Sequence, residues 1–175
     1  MTSHLDLGGK RILLVGATGV LGEAFARALA ESGALLTLAD LQSSPVQALS
    51  LELGAGAAEV DVTDESSVVA AVAGAVAAHG GLDGVVSNAA ITSEGLMAGS
   101  EGFPPFESYP LDAWQRTLDV NLTGTFLVAR EAGRAIKDSG GGSVVLTSSV
   151  YGVVAPDHRI YEGQPFASFP GYSAS

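Results

Sequence analysis

The sequence predicts a doubly wound α/β domain built on a parallel sheet. Three observations lead there. Short continuous apolar runs alternate with segments of helical period, as when strands buried on both faces are joined by crossover helices. A glycine cluster, Gly16, Gly19 and Gly22, falls between the first apolar run and the first helical segment. Two long loops, 89–110 and 150–171, follow strand C-termini, the sheet edge at which such folds bind ligands.

Each element has a local reason. Arg11 to Val15 is an apolar run and reads as a strand. Gly19 to Ser32 carries helical spacing through Leu21, Phe25, Ala28 and Leu29, and Gly33 stops it. Leu35 to Ala39 is a second strand, ending at Asp40. Ser44 is set to cap a helix whose first residue is Pro45, running to Leu53 with Gly54 beyond it. Ala57 to Val60 is a third strand, closing on Asp61. Thr63, Asp64 and Glu65 open a helix that runs to about His79, where Gly80 and Gly81 break it. Asp83 to Ser87 is a fourth strand, followed by Asn88. Leu111 to about Lys137 reads as one long helix, ended by Gly140, Gly141 and Gly142. Ser143 to Thr147 is a fifth strand. Neither a repeat nor a second domain is visible, so residues 1–175 are expected to form one domain.

Composition removes several functions. The 175 residues contain no cysteine, which excludes disulfides, thiolate metal sites and a cysteine nucleophile. Acids outnumber bases 19 to 8, for a net charge of −11, and no basic stripe exists for nucleic acid or an anionic membrane. The mean hydropathy of +0.34 comes from many short segments and not from one spanning run. No signal-type core follows the N-terminus, so the expected location is the cytoplasm. His4, His79 and His158 lack metal-ligand spacing, and no metal is expected.

The glycine cluster sits on a strand–turn–helix unit, where it has physical work to do. Gly16 permits a tight turn, Gly19 lets backbone approach a pyrophosphate, and Gly22 allows close helix–sheet packing. The helix that follows offers unpaired N–H groups to phosphate oxygens, with Thr18, Val20 and Leu21 completing the loop. Asp40 ends the second strand. A carboxylate there accepts bonds from ribose hydroxyls and repels a 2′-phosphate, and residues 41–44 carry no arginine. NAD is therefore favoured over NADP. The alternative for Asp40 is a turn or helix cap.

With these residues in view, the sequence resembles the short-chain dehydrogenase/reductase family along nearly its whole length. The glycine spacing departs from the family's usual pattern, with Val20 where a middle glycine is common. Asp61 and Val62 match the family's adenine-contacting pair, and Asn88, Ala89 and Ala90 match its Asn-Ala-Gly motif with alanine in place of glycine. Asn121, in Asp119-Val120-Asn121-Leu122-Thr123-Gly124, matches the helix asparagine. Ser149 is the second serine of a Ser-Ser-x-x-Gly match, and Tyr172 opens a Tyr-x-x-x-Lys match of which four residues are present. The resemblance implies a Rossmann-like sheet of order 3-2-1-4-5, with the family's last strands missing. It implies hydride transfer between nicotinamide and an alcohol or ketone, a sugar or other polyhydroxylated compound among the candidates. Tyr172 would be the acid/base, Ser149 would hold the substrate oxygen, and Asn121 would support the proton relay. A homo-oligomer, dimer or tetramer, is implied for the full-length form.

Two departures shape the expectations. Ser149 and Tyr172 are about twice as far apart as is usual in the family, so residues around Ala155 to Gly163 read as an insertion. Tyr151, in the Ser-Ser-x-x-Gly match, and Tyr161, in the insertion, are rivals to Tyr172, but Ala155 and Pro165 stand where each would need a lysine. The sequence also stops at Ser175, one residue before the expected lysine. An unperturbed tyrosine is only ~0.1% phenolate at pH 7, and a neighbouring ammonium would correct that. The expectation is thus an N-terminal portion of an oxidoreductase that is inactive alone, with the helix near Tyr172 absent and the fifth strand an open apolar edge. The alternatives are a nucleotide-binding or redox-sensing module without turnover, and an inert fragment. Asp157, His158, Arg159 and Glu162 in the insertion suit either a hydroxylated substrate or a solvated loop.

Overall fold

The computed structural model describes residues 6–92, 104–164 and 167–175. These fall into two compact units. The first contains residues up to 89 together with 125–147, and the second contains 90–124 together with 148–175.

The first unit holds the sheet. Strands β1 (Arg11–Val15), β2 (Leu35–Asp40), β3 (Gly56–Glu59), β4 (Gly84–Ser87) and β5 (Ser143–Leu146) are all parallel, in the order β3-β2-β1-β4-β5. That is the expected order. β1 lies centrally, Leu13 pairing with Thr37 on one side and Val85 on the other. Its apolar run is buried on both faces, as a central parallel strand requires. Ile12 and Leu14 pack with Leu36 and Leu38 against helix α1 (Val20–Glu31) and helix α2 (Val46–Leu53) through Ala26, Val46 and Leu49. Leu13 and Val15 point to the opposite face. Helix α3 (Glu65–His79) and helix α5 (Thr125–Asp138) pack together, burying Val68, Val72, Leu127 and Val128. Arg130 of α5 ties them, bonding Glu65 and Glu131 while its guanidinium lies 5.6 Å from the Phe126 ring.

Boundaries follow local chemistry. α3 begins as expected, with the Asp64 carboxylate accepting from the Ser66 N–H at 2.9 Å. α2 begins one residue later than Ser44 and Pro45 suggested. Pro45 occupies the cap with no side-chain bond, and burial of Val46 sets the start. The Ser44 hydroxyl is enclosed without a hydrogen-bond partner among the described residues, a cost of about 1–3 kcal/mol. β5 differs from β1 in burial: Val144, Val145 and Leu146 are about half exposed, at 42%, 50% and 46%.

The second unit is less regular. Its elements are helix α4 (Leu111–Leu118), a π-helical segment (Asp119–Gly124), short 3-10 turns at Phe106–Ser108, Val150–Gly152 and His158–Tyr161, and helix α6 (Pro170–Ala174). Two expectations are corrected here. The single helix from Leu111 is interrupted by the π segment, in which each turn takes one more residue. The helix near Tyr172 is present and begins at Pro170, whose fixed φ suits the first helical position. It rests on α4 where Gly171 meets Thr117; a Cβ on Gly171 would lie 2.9 Å from that of Thr117. Residues 93–103 of the first long loop and 165–166 of the second lie outside the described residues. Among the described residues no helix is long and apolar enough to cross a membrane.

One ion pair closes the foot of the central strands. Arg11 Nε and Nη2 donate to the two Asp83 carboxylate oxygens, both at 2.8 Å, and the Arg11 N–H donates to Asp83 as well. The side-chain bond and then the backbone bond hold the Asp83 carboxyl well below the usual carboxylate range. A depressed folded-state pKa contributes stability above the unfolded value, near ~3.9, and that contribution is lost as pH falls towards the folded value. Asp83→Asn should therefore lower the Tm at pH 7 and flatten its decline below about pH 4. Parallel Tm–pH curves for the two proteins would contradict this assignment.

Candidate active site

In the first unit the glycine turn is tied from two sides. Gly16 takes φ +77°, and a Cβ there would lie 2.5 Å from the Ala89 nitrogen. A Cβ on Gly22 would lie 2.0 Å from the Gly16 carbonyl oxygen. Both positions thus admit only glycine, for packing reasons. Gly19 differs: among the described residues nothing stands within 4 Å of the equivalent position, so its outer side is open. Gly19 caps α1 without a side-chain bond, and Val20 and Leu21 are exposed beside it. The turn therefore presents open backbone and a helix N-terminus, the combination that accommodates a phosphate.

Two polar side chains hold that turn. Asp40 Oδ2 accepts from the Thr18 N–H at 2.8 Å and from the Thr18 hydroxyl at 2.7 Å. Asp40 Oδ1 accepts from the Leu41 N–H at 2.8 Å. The cap and the ribose ligand were alternatives in the sequence, and here Asp40 caps the turn. A carboxylate offers about four acceptor sites, so capacity for a hydroxyl is left. Asn88 Nδ2 donates to the Gly16 carbonyl at 3.1 Å, and its backbone continues β4 by donating to Val15. Gly16, Thr18, Asp40, Asn88 and Ala89 are thereby brought together. Asp61 stands apart, its Oδ1 accepting from the Thr63 N–H and hydroxyl, with buried Val62 between them in sequence.

The second unit contains Ala90, Asn121, Ser149 and Tyr172. Asn121 sits in the π segment. Its Oδ1 accepts from the Ile91 N–H at 2.8 Å, and its Nδ2 donates to the Ile91 carbonyl and to Ser175 Oγ at 3.3 and 3.2 Å. The Ile91 and Ser175 contacts could not be foreseen from spacing, being 30 and 54 residues distant. Ser149 caps the turn Val150–Gly152, its Oγ accepting from the Tyr151 N–H at 3.3 Å. α6 packs against that turn and carries Tyr172, whose ring lies 5.8 Å from Phe169.

The rival tyrosines pair with each other. The Tyr151 and Tyr161 hydroxyls are 2.8 Å apart. The hydrogen bond with Tyr151, then burial, then the charges of Tyr151 and Tyr172 push Tyr161 up to about 12. Such a phenol holds its proton at neutral pH. In the insertion, Arg159 and Asp157 pair at 2.6 Å on the surface, so these charges are spent on one another. Sequence reasoning also missed Tyr109, which stacks on Phe169 at 6.5 Å. Its hydroxyl is enclosed without a hydrogen-bond partner among the described residues, and burial pushes it up.

The contrast between glycines is testable. Gly22→Ala should destabilise the protein by about 3 kcal/mol or more, because backbone must move to admit the methyl group. Gly19→Ala should cost about 1 kcal/mol, the ordinary loss at a helix cap. Equal shifts in denaturant midpoint would refute the packing argument.

Comparison with known proteins places this geometry. The family model described as short chain dehydrogenase matches residues 10–175. A 2,5-dichloro-2,5-cyclohexadiene-1,4-diol dehydrogenase of Sphingobium indicum is 37% identical over 166 residues, covering 93% of this chain and 63% of the relative. A 3-alpha-(or 20-beta)-hydroxysteroid dehydrogenase of Mycobacterium bovis is 37% identical over 147 residues, covering 83% and 53%. The crystal structure of a short-chain type dehydrogenase/reductase from Mycobacterium marinum superposes with a TM-score of 0.79 at 31% identity, covering 97% of this chain and 64% of that one. The chain thus spans less than two thirds of the length of these relatives.

Proposed function

The chain belongs to the short chain dehydrogenase family, and on that premise we propose that it carries the NAD-binding residues and the serine–tyrosine pair of an oxidoreductase acting on an alcohol or ketone. The observation that supports this best is the glycine turn, held by Asp40 and Asn88 with the Gly19 side left open. When bound, NAD supplies the hydride chemistry. The turn from Gly16 to Gly22, with Thr18, Val20 and Leu21, would receive the pyrophosphate. Asp40 would accept from the ribose, Asp61 and Val62 would flank the adenine, and Asn88, Ala89 and Ala90 would line the path beyond β4.

In the second unit Tyr172 would give or take the proton at the substrate oxygen, with Ser149 donating a hydrogen bond to that oxygen. Asn121 would act one step back, holding Ile91 and Ser175. Tyr151 and Tyr161 are assigned a supporting place, since each hydroxyl already engages the other. Relatives named for a cyclohexadiene diol and a hydroxysteroid support a hydroxylated ring compound as substrate, while another, 34% identical, is named for the open-chain polyol D-threitol. The paired Asp157 and Arg159 lend no support to a sugar.

Calorimetric titration tests the cofactor. NAD should bind at least ~10-fold more tightly than NADP, because a 2′-phosphate would face the Asp40 carboxylate. Asp40→Ala with Leu41→Arg should reverse the order. Equal affinities in the unmodified protein would sink the assignment.

A second test concerns roles, read as NAD reduction with a panel of secondary alcohols in a chain extended to the length of these relatives. Tyr172→Phe should abolish turnover with NAD affinity unchanged, and Ser149→Ala should cost about 10²-fold or more. Loss of turnover in Tyr161→Phe, with Tyr172→Phe tolerated, would transfer the acid/base role to the insertion.

A further inference from the structure

The second unit carries a half-open cavity of about 480 Å³ that none of the proposed roles uses. Its size falls within the ~300–1,000 Å³ of small-molecule sites. One wall comes from the segment before α4, with Pro105, Phe106 and Tyr109. The other comes from the insertion and the start of α6, with Pro156, Ala167 and Phe169. The walls are mostly rings and methyl groups. The serine hydroxyls on the wall, Ser168 and Ser173, lie 3.2 Å apart and bond to each other, so part of their capacity is already engaged. The imidazole of His158 also lines the cavity, its ring 6.1 Å from that of Tyr161.

A line of rings joins this cavity to the proposed acid/base. Tyr109 stacks on Phe169 at an interplanar angle of 13°, and Phe169 packs on Tyr172 at 50°. Phe169 is itself buried, at 2% exposure, and fixed in place. Ser173, the residue after Tyr172, is on the wall. The insertion that separates Ser149 from Tyr172 thus supplies a surface for an apolar body next to the helix bearing the phenol.

From this arrangement we infer that the cavity binds the apolar ring body of the substrate, making Phe106, Ala167 and Phe169 specificity-determining residues that select a ring-bearing alcohol or ketone over an open-chain polyol. The inference rests on the oxidoreductase reading for the identity of the occupant as substrate. Binding to the cavity itself requires no turnover.

The test uses the 175-residue chain, with 1-tetralone as a bicyclic ketone probe and xylitol as the polyol, titrated with and without NAD. Tetralone should bind, and xylitol should neither bind nor compete. Ala167→Phe, which fills the cavity from its wall, should weaken tetralone at least tenfold and leave NAD affinity unchanged. Should Ala167→Phe not fold by circular dichroism, Phe106→Ala trims an exposed wall residue and should weaken tetralone at least threefold. Absence of tetralone binding, displacement by xylitol, or unchanged affinity in the folded variants would overturn the inference. A chain that binds NAD but not tetralone sinks the cavity alone. One that binds tetralone but not NAD keeps the cavity as a binding site and sinks the cofactor reading.

Discussion

The first unit depends on how closely the glycine turn approaches its neighbours. The Gly16 backbone lies against Ala89, and the Gly22 backbone lies against Gly16, with no room at either point for a side chain. These approaches let α1 leave β1 without a gap and bring the end of β4 beside the same turn. Asn88 and Asp40 add directional bonds to what sterics already impose. The order β3-β2-β1-β4-β5 places β1 between strands reached by crossovers in opposite directions, which creates the crevice where α/β sheets take ligands.

The second unit reaches its order by other means. It has little regular structure, and aromatic stacking and side-chain-to-backbone bonds do much of the work. Asn121 grips both backbone groups of Ile91, as a strand partner would. Tyr151 and Tyr161 clasp two points of the chain ten positions apart. Gly171 lowers α6 onto α4. Each of these is a contact between residues far apart in sequence or lying in segments without periodicity.

That difference explains what the sequence disclosed. The strands and helices of the first unit were legible because burial on both faces writes continuous apolar runs, and caps such as Asp64 write a helix start. The expected ends erred by a residue at α2, β3, β4 and β5; a buried Val46 sets the start of α2 and the pairing with β2 the limits of β3. The π segment left no mark, because Leu118 and Leu122 keep ordinary helical spacing through it. Pro170, two residues before the tyrosine motif, is a readable signal for the start of α6. At the site, the motif residues were legible by type and order, but their partners were not. Asp40 was read mainly as a ribose ligand, and its hold on Thr18 follows from the fold of the turn, which no local pattern encodes. The tyrosine pair and the Tyr109–Phe169–Tyr172 stack were equally silent.

The position of Asp40 bears on how a protein of this kind could change over generations. One carboxylate braces the turn, through Thr18 and Leu41, and under the proposed NAD preference the same carboxylate would exclude a 2′-phosphate. A lineage drifting towards the phosphorylated cofactor would lose the brace at the same step that removes the repulsion. Proteins sit only slightly above the stability they need, so the order of substitutions matters. A compensating change that stiffens the turn would have to come first, and only its descendants could accept the replacement of Asp40. Cofactor preference would then be conserved by the architecture of the turn as much as by selection on the cofactor itself.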